Sequence, residues 1–228
     1  MKKILFFVCL LFACGTMQAQ QQHRPFWYQR ASLFEELPVG PKDIVFLGNS
    51  ITNGCEWSEL FGDARVKNRG ISADTAAGIL ERIDVILSGH PAKIFMMIGT
   101  NDIARGYSLD DIVKDIAAVI ERIHAESPST RVYVQSVLPV SDYYGNMHGH
   151  ISHGEDIVAL NVRLQTLCGQ TGCVYIDLHT PFCDGEGKLK ADYSNDGLHL
   201  MGKGYLLWRD IVQPYVREKV RRTANAKR

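Results

Sequence analysis

Residues 43–54 read DIVFLGNSITNG. The first six are apolar enough for a strand covered on both faces, after which the chain passes through Gly48 and Asn49 to Ser50 and into turn-favouring polar residues. A serine delivered by the end of a buried strand is a candidate nucleophile. Standing alone it is more often an ordinary helix N-cap, so its meaning depends on what the rest of the chain brings to the same place.

Outward from that stretch the chain alternates β-rich runs with longer amphipathic ones. After 43–48, strands are expected at VKNRG (66–70), KIFMMIG (93–99), RVYVQSVL (131–138) and CVYIDL (173–178). Between them lie helical stretches. The run 74–89 has Asp74 as its expected N-cap and Ala77, Leu80, Ile83 and Leu87 along one face. The next runs from a Ser108 cap, with Asp111 completing an imperfect capping box, to Pro128 as a stop. A third fits 156–172 and ends in glycine, and a last fits 201–220, kinked or interrupted by Pro214. Strand and helix alternating five times predict a doubly wound parallel sheet, with no internal repeat, low-complexity segment or linker.

The 228 residues are 46% hydrophobic and 22% charged, the profile of a globular chain able to bury roughly 70% of its unfolded surface without a metal or disulfide framework. Twenty-five basic and 25 acidic side chains cancel, which argues against a nucleic-acid partner. The one basic cluster, REKVRRTANAKR, reads as a solvated helix end and tail. At the other end Lys2, Lys3, the apolar run ILFFVCLLFA and Ala19 before a cleavage point predict a signal peptide over 1–19, too short to span a bilayer. LFAC loosely resembles a lipoprotein signal that would leave Cys14 acylated, but ordinary cleavage suits Phe12 and Met17–Ala19 better. The expected division is therefore signal peptide 1–19, lead-in 20–42, main domain 43–220 and basic tail 221–228, with the mature protein periplasmic or extracellular. Cys9 and Cys14 fall in the signal. Cys55, Cys168, Cys173 and Cys183 remain, and their default is isolated thiols, since four cysteines allow three connectivities.

Ligands of such sheets bind outside the carboxyl ends of the strands, where strand order reverses. Three strand ends carry unusual polar residues: Ser50, then Asn68 to Gly70, then Asn101 with Asp102. A fourth set, DGLH (196–199), precedes the final helix. Each is weak alone and together they form a hydrolase constellation. Asp196 and His199, three apart, can meet across one turn, so that the carboxylate holds the ring in the tautomer that accepts from Ser50. Donors for an oxyanion would be the backbone N–H groups of Ser50 and Gly70 and the side-chain amide of Asn101.

In FLGNSIT, NRGISADT, IGTND and DGLH the chain resembles, in order and spacing over about 43–205, the four blocks of the SGNH hydrolases, or GDSL esterases. The resemblance implies a flavodoxin-like three-layer α/β/α sandwich with a five-stranded parallel sheet, and ester hydrolysis without cofactor or metal. It also implies Ser50, Gly70, Asn101 and His199 as the named quartet, with Asp196 as orienter. NRGISADT and LPV (138–140) are most similar to the platelet-activating-factor acetylhydrolase type and to bacterial carbohydrate acetylesterases. Asn49 departs from the commoner aspartate, which bears on local hydrogen bonding rather than on the nucleophile.

Other chemistries fit less well. There is no G-x-S-x-G elbow, and MGKGY lacks the spacing of a phosphate loop. The loop 141–156 crowds His148, His150 and His153, which could hold zinc or touch substrate, with a solvated loop as the default. Tyr143 and Tyr144 could stack on a sugar or an apolar leaving group, and Asn49 and His148 are further substrate-contact candidates. With no other long insertion to form a lid, a short acyl group, acetyl on a glycan or small-molecule ester with carbohydrate preferred, is expected; lysophospholipase or thioesterase activity is the alternative. A non-catalytic carbohydrate-binding module would not need Ser50, Asn101, Asp196 and His199 all at once.

Overall fold

The computed structural model describes residues 23–219. The signal peptide, Cys14 and the basic tail 221–228 lie outside the described residues. Helix α1 (Pro25–Glu36) precedes β1 (Ile44–Gly48), which runs into two short helices, α2 (Ser50–Asn53) and α3 (Trp57–Phe61). Next come β2 (Val66–Gly70), α4 (Ala76–Arg82), α5 (Asp84–Leu87), β3 (Lys93–Met97), α6 (Thr100–Ala104) and α7 (Leu109–Glu126). Last are β4 (Arg131–Gln135), α8 (His148–Ile151), α9 (Gly154–Thr171), β5 (Val174–Ile176), α10 (His179–Phe182) and α11 (Gly202–Arg217). The five strands are all parallel, in the order β2-β1-β3-β4-β5, which is the expected flavodoxin-like arrangement with its reversal between β1 and β3.

In the three central strands Phe46, Phe95 and Tyr133 stand in register, and their rings stack at 5.0 and 4.3 Å. Trp57 of α3 continues the row at 4.0 Å from Phe46, and Trp208 of α11 meets Trp57 edge-on. Trp208 also donates from Nε1 to the buried Gln135 Oε1 at 2.7 Å. Helices α3 and α11 thus cover one face of the sheet, while α4, α7 and α9 pack side by side on the other. At the amino ends of the strands, Lys93 reaches under α11 and donates to Val216 O and Glu218 O at 2.9 and 2.7 Å, capping carbonyls that the helix cannot satisfy.

Three expectations change. The stretch 74–89 is two helices, α4 and α5, capped by Thr75, whose hydroxyl accepts from Gly78 N–H at 3.1 Å. Asp74 is instead drawn into buried contacts described below, and the inward face is Ala76, Ile79, Ile83, Ile86 and Leu87, with Ala77 and Leu80 only partly covered. Strand β4 stops at Gln135 rather than 138 because Asn161 of α9 pairs with Val137 as a neighbouring strand would. Its Oδ1 accepts from Val137 N–H at 2.8 Å and its Nδ2 donates to Val137 O at 2.9 Å. Pro214 does not interrupt α11, since it lies in the last turn where few i−4 bonds remain to be lost. The Ser108 cap is as expected, accepting from Asp111 N–H at 3.1 Å while Asp111 accepts from its hydroxyl. None of Cys55, Cys168, Cys173 and Cys183 is in a disulfide.

The lead-in gave no sequence signal of structure, yet α1 plugs the sheet edge beside β2. Its Phe34, 1% exposed, carries the guanidinium groups of Arg30, Arg69 and Arg82 at 4.9, 4.7 and 5.9 Å from its ring centre. Phe34→Ala opens a cavity and strips the ring from these cations, so a loss of about 3–5 kcal/mol is expected in urea unfolding. A loss below about 1 kcal/mol would show that α1 is not part of the cooperative unit.

Candidate active site

Ser50 is the first residue of α2, directly beyond the carboxyl end of β1. The turn is set by Asn49, 1% exposed, whose Oδ1 accepts from Ile51 N–H at 3.0 Å. Asn49 is therefore an N-cap with no surface to offer a ligand, which corrects its reading as a substrate contact.

The partner of Ser50 comes from far along the chain. Asp196 Oδ1 accepts from the backbone N–H groups of Leu198 and His199 at 2.9 and 2.8 Å, leaving Oδ2 for His199 Nδ1 at 2.7 Å. His199 Nε2 lies 2.9 Å from Ser50 Oγ. Burial pushes the Asp196 carboxyl up, but its bonds from His199 and the two backbone donors outweigh that and hold it below the usual range. Two supports of this turn escaped the sequence reading. Ser194 Oγ accepts from Gly197 N–H at 2.9 Å, and Ser141 N–H donates to Gly197 O at 2.9 Å. Gly197 has φ 85°, and a Cβ there would meet Ser141 O at 1.9 Å, so only glycine fits between the loop after β4 and the histidine turn. Tyr205 of α11 closes the circuit by donating to Ile51 O at 2.8 Å, tying the helix after His199 to the helix that holds Ser50.

Asn101 sits on α6 at the end of β3, across the sheet reversal from Ser50. Its Nδ2 donates to Asp74 O at 2.8 Å and its Oδ1 lies 3.0 Å from His150 Nε2. An amide carries two N–H bonds, so one remains for a ligand. Ser50 N–H, at the start of a helix, likewise has no intrahelical acceptor. Gly70 is different: its N–H donates to Asn68 Oδ1 at 2.8 Å and is committed. Its lack of a side chain serves packing, because a Cβ would lie 2.3 Å from Asn53 N and 2.8 Å from Asn49 O. An unengaged donor of this loop is instead Ala73, at φ 63°, whose N–H has no acceptor among the described residues and whose carbonyl is held by Arg105 Nη2 at 2.5 Å. An alanine in the left-handed region leaves no sequence signal.

The histidine loop separates its three rings. His148 is exposed, His153 Nδ1 pairs with Asp156 Oδ2 at 2.9 Å, and only His150 turns toward the site. Among the described residues no group of three or more His, Cys, Asp or Glu is arranged to hold a metal ion. Tyr143 and Tyr144 expose their rings, but their hydroxyls donate to Asp184 Oδ2 and Ala191 O at 2.5 and 2.9 Å, fastening the loop to 184–191. A cavity of about 640 Å³ lined by Ile44, Lys93 and Val216 opens at the opposite, amino ends of the strands. No helix among the described residues is long and apolar enough to cross a membrane.

A hydroxyl, an imidazole and a carboxylate in line at the reversal of a flavodoxin-like sheet define a class, that of the carboxylic ester hydrolases of this fold. Within it, the chain belongs to the GDSL-like lipase/acylhydrolase family, whose model matches residues 46–207. A structure from Streptococcus pneumonia, described as a platelet activating factor, is 28% identical with a TM-score of 0.78, covering 84% of this chain and 92% of that one. A GDSL-like lipase of Bacteroides thetaiotaomicron is 26% identical with a TM-score of 0.73, covering 83% and 96%. An N-acylneuraminate cytidylyltransferase of Streptococcus agalactiae is 24% identical over 144 residues, 63% of this chain and 33% of that protein. The chain thus spans about a third of the curated relative it matches.

Next to Asn101, Asp102 accepts from Ala76 N–H at 2.9 Å while its Oδ2 is buried without a partner. Burial pushes its carboxyl up from 3.8 to about 6. Between those values the folded chain binds more protons than the unfolded one, so Asp102 makes stability fall as pH rises through that window. Asp102→Asn should flatten the fall, measured by urea unfolding from pH 4 to 7. An unchanged slope would show that the carboxyl ionises as freely folded as unfolded.

Proposed function

We propose that the protein is an exported serine esterase acting on short-acyl esters, acetate on a carbohydrate being the best fit. The observation that carries this reading is the continuous line from Ser50 Oγ to His199 Nε2, 2.9 Å, and from His199 Nδ1 to Asp196 Oδ2, 2.7 Å. In the proposed reaction Ser50 Oγ attacks the ester carbonyl carbon as its proton passes to His199 Nε2, and Asp196 stabilises the imidazolium. The negative charge on the carbonyl oxygen is met by the N–H groups of Ser50 and Ala73 and the free N–H of Asn101. When the tetrahedral intermediate collapses, the C–O bond to the alcohol breaks and the alcohol leaves with the proton from His199. Water, deprotonated by the same imidazole, then releases the carboxylic acid and restores Ser50.

Two features support the substrate class. The loop 141–156, the one insertion near the site, is pinned by Tyr143 and Tyr144 to a neighbouring loop instead of forming a tunnel for a long acyl chain. The curated relative is named for N-acylneuraminate, a sugar acid, in line with a carbohydrate leaving group. Export rests on Lys2, Lys3, the apolar run after them and Ala19.

With p-nitrophenyl esters, acetate and butyrate should be cleaved far faster than decanoate. A preference rising with chain length would favour a lipase or lysophospholipase. Ser50→Ala and His199→Ala should each abolish all but residual turnover, the double variant being little worse than either alone. Asn101→Ala should lower kcat by roughly 10²- to 10³-fold with KM little changed. If KM took the change instead, Asn101 would be a ground-state contact.

A further inference from the structure

We infer that His150 is a positioning residue for the Asn101 amide, donating from Nε2 to Asn101 Oδ1 and so aiming the free amide N–H at the developing oxyanion. The inference rests on the esterase reading proposed above and extends it to a residue outside the four blocks.

Donor and acceptor matching fixes the orientation of both side chains. Asp74 O, 2.8 Å from Asn101 Nδ2, is a carbonyl and can only accept, so the NH₂ end of the amide must face it. The Oδ1 end then faces His150 Nε2 at 3.0 Å and can only accept, so Nε2 must carry the proton. The amide is held at both ends, by a carbonyl from the β2 loop and by a ring from α8. Loss of the ring would leave the amide oxygen of Asn101, a residue 7% exposed, unsatisfied and the amide less firmly held. A hydrogen bond to the oxygen also polarises the amide and strengthens its N–H groups as donors.

The local charges suit a neutral ring. Burial first, then the neighbouring His199, His153 and Arg105, push His150 down from its ordinary value, with Asp196 opposing them. A neutral ring has one N–H, and Asn101 claims it. The helix that presents the ring is itself braced: Ile151 lies against Gly197, and the preceding segment is tied down through Lys188 to Asp142 at 2.9 Å. The loop that supplies His150 is thereby fastened to the same turn that supplies His199.

The test has two independent parts. Steady-state kinetics on p-nitrophenyl acetate should show His150→Ala lowering kcat by about 10-fold with KM within about twofold, and His150→Gln, which keeps a donor, recovering most of the loss. In an Asn101→Ala background the same His150→Ala change should cost less than about twofold, because the ring would have nothing left to aim. An equal loss in both backgrounds, or a change confined to KM, would overturn the inference. The second part needs no turnover: ¹⁵N NMR of the imidazole should show His150 as the Nε2–H tautomer, moving to a mixture in Asn101→Ala. An Nδ1–H ring, or one indifferent to Asn101→Ala, would overturn it. Were the wild type to cleave no short-acyl ester, the proposed function would fail, and the tautomer and its response would still decide whether His150 holds Asn101.

Discussion

The Ser50 and Asn101 side of the sheet's mouth leans on one buried residue, Asp74. Its Oδ1 accepts from Trp27 Nε1 at 2.9 Å and from Thr75 N–H at 3.1 Å, and its Oδ2 accepts from Arg82 Nε at 2.8 Å. Its backbone oxygen accepts from Asn101 Nδ2, while Arg82 reaches on to Gly48 O at 3.3 Å, two residues before Ser50. Asp74 and Arg82 expose 0% and 3% of their side chains, so neither charge has water to fall back on, and breaking such a pair typically costs about 3–5 kcal/mol. Burying the pair is tolerable because α1 seals it: Trp27 donates to the carboxylate and Phe34 lies under the guanidinium. A helix from the lead-in, the β2 loop, α4 and α6 are thus fixed to one another through the three oxygen atoms of Asp74.

The same economy explains how residues nearly 150 positions apart hold a bond of 2.9 Å. Ser50 and His199 are each aimed by very local geometry, an Asn49 cap on one side and a turn closed by Asp196 and Ser194 on the other. Two long-range ties, Tyr205 to Ile51 and Ser141 to Gly197, then set the distance between these small units. The acid–base pair is built in one turn, so nothing but the placement of that turn has to be specified from afar.

What could be read in advance divides along the same line. The strands were legible because a parallel sheet covered on both faces writes continuous apolar runs, Ser50 and Asn101 because their residue types fall at strand ends, and Asp196 and His199 because they stand three apart just before the last helix. The structure gathers these four at one mouth. Gly70 reads from its position as an oxyanion donor, but its value is the closeness it allows to α2, and Asn68 takes its N–H. Asp74 looked like a helix cap because its backbone stands just before α4; tertiary partners claimed the side chain and Thr75 took over the cap. The inward face of that helix shifted accordingly. Ala73, Ser194 and His150 were not assigned their roles because those depend on backbone conformation or on a contact across 49 residues, neither of which leaves a local pattern. Helix α1 was missed because its inward residues, Trp27 and Phe34, serve a polar cluster and make only a weak apolar stripe.

The central claim is that Ser50 is a nucleophile made reactive by His199 and Asp196. An alkylphosphonate p-nitrophenyl ester tests it directly, since attack by an activated serine releases one p-nitrophenol and leaves the phosphonyl group bound. Peptide mapping should find one equivalent on Ser50 in the wild-type protein and almost none in His199→Ala. Modification elsewhere, or labelling of Ser50 at an undiminished rate without His199, would contradict it.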